Sequence, residues 1–158
     1  MHKPVLSAPF LRRIWMDPDR PFDAARYPFV LPLFCKGDFE FQFDSAVTIF
    51  VGENGSGKST LLEAIASMIG FDQSGGGNGY RPVDHSGSIE TSGDQLSAHL
   101  KGSWLPKVTS GWFFKAETFF SVARYLDAAA MDANQPAPDF LSHSHGEGFL
   151  RFFEERCR

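Results

Sequence analysis

The residues best suited to chemistry form a glycine-rich stretch in the first half of the chain. Gly52, Gly57, Lys58 and Ser59 fit the pattern G-x-x-x-x-G-K-[ST], with a further glycine at position 55. Glycine adopts positive φ and has no side chain, so successive backbone amides can converge on one anion. The lysine ammonium suits β- and γ-phosphates, and the serine hydroxyl suits a Mg²⁺ that bridges them. The stretch therefore predicts a nucleoside triphosphate site.

The segments on both sides of this loop suit the same interpretation. Val47–Val51 is an unbroken β-branched and aromatic run, which predicts a strand buried on both faces. After the loop, apolar residues recur at helical spacing, and Gly70 suits the position just past a helix end. This helix would direct its positive dipole end and its unbonded amides at the phosphates. A chance Lys-Ser in a glycine-rich turn is the alternative, and the flanking elements argue against it.

The letters G-E-N-G-S-G-K-S-T, followed by L-L-E-A-I, resemble the ABC-type ATPases. The soluble branch with the chromosome-maintenance and DNA-repair ATPases is especially similar, as are small bacterial predicted ATPases of the AAA/ABC type. The resemblance implies an α/β P-loop fold, ATP hydrolysis, and ATP and Mg²⁺ as cofactors. It also implies that Asn54 faces the γ-phosphate and Thr60 the α-phosphate. The predicted binding residues are Gly52, Glu53, Asn54, Gly55, Ser56, Gly57, Lys58, Ser59 and Thr60, with Ser59 as the metal ligand and Lys58 also catalytic.

A second stretch, Ser144-His145-Gly146-Glu147, resembles the signature motif of the same superfamily at the start of a helix. A hydroxyl, a bare glycine amide and a helix N-terminus again suit an anion. The resemblance implies that Ser144 and Gly146 act across a dimer, on the nucleotide held by the partner's phosphate loop. A metal site at His143 and His145 is a weaker alternative, because acidic and cysteine companions are missing nearby.

Glu117 is a further catalytic candidate at a predicted strand-to-helix junction. The strand is expected over 111–115, and apolar residues from Phe119 to Ala130 predict the helix. ABC-type ATPases place a Gln at such a junction to sense Mg²⁺ and the attacking water, so the resemblance implies a related role for Glu117. The alternative is a carboxylate that only favours the helix dipole.

Five other segments have readable patterns. We expect a first strand over 11–15, and a half-buried antiparallel strand over 39–44 that forms a hairpin with 47–51. Residues 73–79 predict a flexible glycine-rich loop, and a short helix from Ser92 or Asp94 should run through Leu100 and end at Gly102. Residues 104–110 predict a loop. Tyr27 and Phe29 precede the phosphate loop, where they either stack on adenine or pack in the core.

The resemblance stops near the end of the sequence. ABC-type ATPases continue into a buried strand that ends in Asp-Glu, whereas Glu154-Glu155 here belongs to a helix-spaced pattern. We therefore expect residues 1–158 to form a single, partial P-loop ATPase domain, truncated or split. Its sheet should be mixed, with an antiparallel N-terminal part and without C-terminal strands. Hydrolysis by this chain alone should be weak or absent, because phosphoryl transfer needs several positioned groups.

Composition sets further bounds. A hydrophobic fraction of 42% with 17 Phe indicates a globular protein. The formal net charge of -4 gives no general basic surface for nucleic acid, so DNA contact would need a local patch. Cys35 and Cys157 lack metal-ligand spacing, which favours a reduced cytoplasmic setting. Residues 1–15 make a poor signal peptide, and we expect no membrane association.

Three functional hypotheses remain at this point. The first is an ATPase domain that binds MgATP and forms an ATP-dependent homodimer, or that receives missing strands from a partner chain. The second is an ATP-dependent interaction module that does not hydrolyse its ligand. The third, a P-loop kinase or GTPase, lacks its additional motifs in this sequence.

Overall fold

The computed structural model of the chain describes residues 8–73, 75–78, 92–142 and 145–156. Its contacts divide the chain into two compact units, one of residues 1–69 and 90–109 and the other of residues 70–89 and 110–158. In chain order the elements are β1 (Leu11–Met16), β2 (Glu40–Gln42), α1 (Lys58–Ile69), β3 (Gly76–Gly77), α2 (Ser92–Ser97), β4 (Leu100–Trp104), β5 (Trp112–Phe113), α3 (Phe119–Asp132) and α4 (His145–Arg156).

The first unit is built on a three-stranded antiparallel sheet with the order β2-β1-β4. β1 pairs Arg13 with Gln42 on one side and Met16 with Leu100 on the other. Ile14 and Met16 are buried, as period-two alternation requires of a strand with one face on the core. The predicted strands over 11–15 and 39–44 are therefore confirmed, the second at shorter length.

Two helices of the first unit pack on each other. α1 buries Leu61 and Ala64, whose i, i+3 spacing places them on the same side of the helix, and it also buries Ala66. The Ser67 hydroxyl donates to Asp94 Oδ1 at 2.8 Å, which fastens α1 to the first turn of α2. α1 confirms the predicted helix, and Gly70 follows it with φ +95°.

The second unit is organised around aromatic side chains. Phe119, Phe140 and Phe152 are fully buried together, and their rings meet edge-on or tilted at centroid distances of 5.8 to 6.4 Å. β3 pairs antiparallel with β5 through Gly76↔Phe113 and Gly77↔Trp112. The predicted helix after Phe119 is confirmed as α3, and the predicted strand over 111–115 is reduced to β5.

Four expectations are wrong in the described residues. Residues 47–51 are not a strand, and Val47, Ile49 and Val51 are 75%, 78% and 85% exposed. The helix predicted from position 92 was expected to run through Leu100 and end at Gly102, but α2 ends at Ser97 and residues 100–104 form β4. Gly76 and Gly77 form β3, although a flexible loop was expected there. All strand pairings described are antiparallel, so the described sheets are not mixed.

Candidate nucleotide site

A cavity of about 400 Å³ lies at the phosphate loop, within the first unit. This volume falls in the range of small-molecule pockets. Six of the predicted binding residues line it, together with two side chains from the proline-rich segment before β2. The lining residues are Tyr27, Leu31, Asn54, Gly55, Gly57, Lys58, Ser59 and Thr60.

Two glycines shape the backbone of the loop. Gly55 and Gly57 have φ of +79° and +97°, and residues other than glycine seldom adopt this backbone conformation. A Cβ on Gly57 would also lie 3.3 Å from Leu31 Cδ1 and 3.4 Å from Phe34 Cε2. Position 57 therefore needs glycine for its conformation and for the space around it.

The first amides of α1 are available to a ligand. The Leu61 amide donates to the Gly57 carbonyl at 2.9 Å and makes the first hydrogen bond of the helix. In the described part of the chain, the amides of Lys58, Ser59 and Thr60 donate to no backbone acceptor. All three residues line the cavity. Unbonded amides at the positive end of a helix dipole are suited to an anion.

Lys58 holds the loop closed on itself. Its Nζ donates to the carbonyl oxygens of Gly52 at 2.8 Å and Glu53 at 2.6 Å, and lies 3.3 Å from Ser56 Oγ. An ammonium has three protons, and these three oxygens account for all of them. A phosphate that binds Lys58 therefore replaces loop oxygens as the acceptor.

The two aromatic residues before the loop have different environments. Tyr27 is 47% exposed, lines the cavity, and its hydroxyl lies 2.7 Å from Thr60 Oγ1. Phe29 is buried in the core of the first unit, edge-on to the His99 ring. Adenine stacking thus remains a prediction for Tyr27, and is wrong for Phe29.

The residues fit a Mg²⁺ that is held mainly by phosphates and water. Ser59 is exposed and lines the cavity, so its hydroxyl can serve as the one protein ligand. Among the described residues, no group of three or more His, Cys, Asp or Glu side chains could hold a metal ion alone. When bound, Mg²⁺ would supply charge to the phosphate oxygens that the loop amides leave free.

The other predicted catalytic residues belong to the second unit or lie outside the described residues. Glu117 is exposed in a 3-10 turn over Ala116–Thr118, just before α3. Gly146 is exposed in the first turn of α4, and an added Cβ would meet nothing within 4 Å. Ser144 lies outside the described residues, as do His143 and Cys157. The catalytic roles of Glu117, Ser144 and Gly146 stay predictions.

Leu31 is the cavity residue that the sequence did not indicate. It lies in a segment of consecutive turns between prolines, where no period-two or helical pattern exists to assign a face. Its contact with the Gly57 position is a tertiary one, which no local sequence pattern indicates.

Residues 31–105 match the AAA domain family. The match begins at Leu31 in the wall of the cavity, contains the whole phosphate loop, and ends just after β4. It supports an AAA-type, P-loop ATPase-like domain with a nucleotide-binding function. No curated protein sequence and no solved structure matches the chain. Among the described residues, no helix is long and apolar enough to cross a bilayer.

Proposed function

We propose that this AAA-like chain binds MgATP in the cavity at residues 52–60 and acts as an ABC-type ATPase domain. One observation carries the proposal: the amides at the start of α1, the Lys58 ammonium and the Ser59 hydroxyl all line a single cavity. The amides are suited to bind an anion, the ammonium adds a positive charge beside it, and the hydroxyl is suited to bind its Mg²⁺.

Binding would proceed by exchange at Lys58. The triphosphate oxygens take the place of the Gly52 and Glu53 carbonyls as acceptors of the ammonium protons. A charge-assisted bond to phosphate is stronger than one to a neutral carbonyl. The exchange therefore favours the bound state, and the loop carbonyls are released.

Hydrolysis needs a group that orients water, and none of the described residues that line the cavity is Asp or Glu. Glu117 is a candidate for this role, in line with its exposed position before α3. A second candidate source is another molecule of the chain. Gly146 supports that dimer proposal, because its exposed, uncrowded backbone at the start of α4 could approach a partner's nucleotide.

The exposed apolar side chains of segment 47–51 support a partner as well. Val47, Ile49 and Val51 are exposed, while Phe50 packs against the core of the first unit. An apolar surface of another polypeptide could cover these three exposed side chains.

The second candidate function is an ATP-dependent interaction module that binds without turnover. The lining residues that the structure describes favour this candidate, since none of them carries a carboxylate. Both candidates require the same binding site, and they differ only in whether phosphate is released.

Calorimetry with MgATP, followed by a phosphate-release assay, separates these outcomes. We expect heat of binding for the wild-type chain and for Lys36→Ala, which removes an exposed lysine away from the cavity. Lys58→Ala should bind about 10- to 100-fold more weakly, because it removes a charged hydrogen-bond donor. Phosphate release that disappears in Lys58→Ala supports the ATPase, and binding without release supports the module. Absence of binding by the wild-type chain would refute both.

Size-exclusion chromatography with light scattering tests the dimer. We expect the mass to double with MgATP, and Gly146→Val to prevent this because a branched side chain would occupy the exposed approach. An unchanged mass with ligand bound would rule out the sandwich arrangement.

A further inference from the structure

Thr60 lines the cavity, and its hydroxyl lies within hydrogen-bond distance of a side chain far away in sequence. Thr60 lies in the first turn of α1, is 5% exposed and lines the cavity. Its Oγ1 lies 2.7 Å from the hydroxyl of Tyr27, and either oxygen can be the donor in this pair. The direction of that hydrogen bond decides what Thr60 can offer a ligand.

A threonine hydroxyl has one proton to donate. If Thr60 donates to Tyr27, only its oxygen lone pairs remain for the cavity, and these repel an anion. If Tyr27 donates to Thr60, the Thr60 proton remains free for a phosphate oxygen. A phenol is also the more acidic of the two hydroxyls and hence the better donor.

We infer that Tyr27 is a positioning residue for the nucleotide phosphates, which donates its phenolic proton to Thr60 Oγ1 so that the Thr60 proton faces a phosphate oxygen. This inference rests on the proposed function and adds a residue outside the phosphate loop to it. A bound anion selects the direction from Tyr27 to Thr60 to phosphate, and hydrogen bonds in such a chain strengthen one another.

The surroundings of Tyr27 keep this arrangement in place. The turn that carries Tyr27 is held by backbone hydrogen bonds from Val30 to Arg26 at 2.9 Å and from Leu31 to Pro28 at 3.1 Å. Leu31 of the same turn contacts the space beside Gly57. The turn that contains Tyr27 and Leu31 therefore contributes a hydroxyl group and an apolar side chain to the same cavity.

A double-mutant cycle on MgATP affinity tests the inference. Tyr27→Phe keeps the ring and removes the hydroxyl, and Thr60→Val keeps the shape and removes the acceptor. We expect Tyr27→Phe to weaken binding about three- to tenfold in the wild-type background, the effect of one hydrogen bond. In the Thr60→Val background the same change should have no further effect. Thr60→Ser, which retains the hydroxyl, should bind like the wild-type chain.

The readouts distinguish the inference from its alternatives. A Tyr27→Phe chain that binds as tightly as wild type overturns it, and so does an equal loss in both Thr60 backgrounds, which would mean that Tyr27 acts by its own contact with ligand. Thermal unfolding without ligand is the control for a purely structural role, because a Tyr27→Phe chain whose loss of affinity matches its loss of stability would show that the pair holds the fold and not the phosphate. A wild-type chain that fails to bind MgATP overturns the proposed function and this inference together. Unchanged binding by Tyr27→Phe, or an equal loss in both Thr60 backgrounds, overturns this inference and leaves the proposed function intact.

Discussion

The ammonium nitrogen of Lys58 lies 2.6 Å from the carbonyl oxygen of Glu53, and the same ammonium is expected to bind phosphate. The lysine thus serves as the internal tie of the loop until a ligand replaces the carbonyls.

Loss of this tie should loosen the loop without ligand. In Lys58→Ala the carbonyls of Gly52 and Glu53 lose their shared donor. We expect the Ser56 amide, which donates to the Glu53 carbonyl, to exchange roughly tenfold faster, since a hydrogen bond to a charged group contributes about 1.5–3 kcal/mol to the stability of the loop. Hydrogen-exchange mass spectrometry measures this, with Lys36→Ala as the control. Unchanged exchange would show that the backbone alone fixes the loop.

Two glycines of the loop should respond differently to alanine. Gly55→Ala faces only the cost of a positive φ, about 1–2 kcal/mol, because no atom lies within 4 Å of the added Cβ. Gly57→Ala adds contacts with Leu31 and Phe34 and should cost about 1–3 kcal/mol more. Urea unfolding of both variants gives the comparison, and equal losses would mean that the Leu31 wall moves aside freely.

Two glycines of α4 form a second matched pair. A Cβ on Gly148 would lie 2.9 Å from the Phe140 carbonyl oxygen and 3.4 Å from Phe119 Cε1, whereas the space at Gly146 is open. We expect Gly148→Ala to lose about 1–3 kcal/mol by overpacking. Gly146→Ala should lose nothing and could gain up to about 1 kcal/mol of helix propensity. Thermal unfolding that ranks the two variants in the opposite order would contradict the packing described here.

The exposure of the 47–51 segment predicts a contrast between two isoleucines. Ile49→Ala removes a side chain that is 78% exposed and should change the free energy of unfolding by no more than about 0.5 kcal/mol. Ile14→Ala creates a cavity at a fully buried position of β1 and should cost about 2–5 kcal/mol. Denaturant unfolding of the isolated chain measures the free energy of unfolding of both variants. A large loss for Ile49→Ala would mean that another surface covers this segment in solution.

The ion pair between Asp17 and Lys101 predicts a pH effect. Lys101 Nζ lies 2.8 Å from Asp17 Oδ1, and this hydrogen bond holds the pKa of Asp17 below its ordinary value of 3.8. A lowered pKa in the folded state adds stability above pH 4 or so, which is lost as the pH falls through the folded pKa. Lys101→Met should return the pKa of Asp17 towards 3.8, measured by carboxyl NMR titration, while Lys36→Met leaves it unchanged. An Asp17 titration that is the same in both variants would count against the pairing.

Local patterns predicted the parts of the structure that local interactions fix. The turn between Gly52 and Gly57 and the start of α1 follow from glycine conformation and helical spacing, so their positions agree with expectation. The same holds for α3 and for the existence of the strands β1 and β2, whereas the pairing of β1 with β2 takes the place of the hairpin expected between residues 39–44 and 47–51.

Elements that depend on distant partners were not predictable in this way. β4 has the sequence L-K-G-S-W, a short alternation of apolar and polar residues with a glycine at its centre, and it is a strand because β1 pairs with it. The opposite error occurred at Val47, Ile49 and Val51, which were predicted to be buried and are exposed. Apolar residues are buried only where another surface covers them. At the site, the loop residues were predicted, but the Tyr27 hydrogen bond and the Leu31 contact arise from tertiary packing.

β1 lies between β2 and β4, and its register with β4 pairs Leu11 with Trp104. A growing polypeptide leaves the ribosome from its N-terminus, so the strand that completes this sheet arrives only after the phosphate loop and α1 have been synthesised. Long-range pairings of this kind form slowly because a long intervening segment must first be closed. The sheet of the first unit is therefore complete only after residue 104 has left the ribosome, long after the phosphate loop itself has been synthesised.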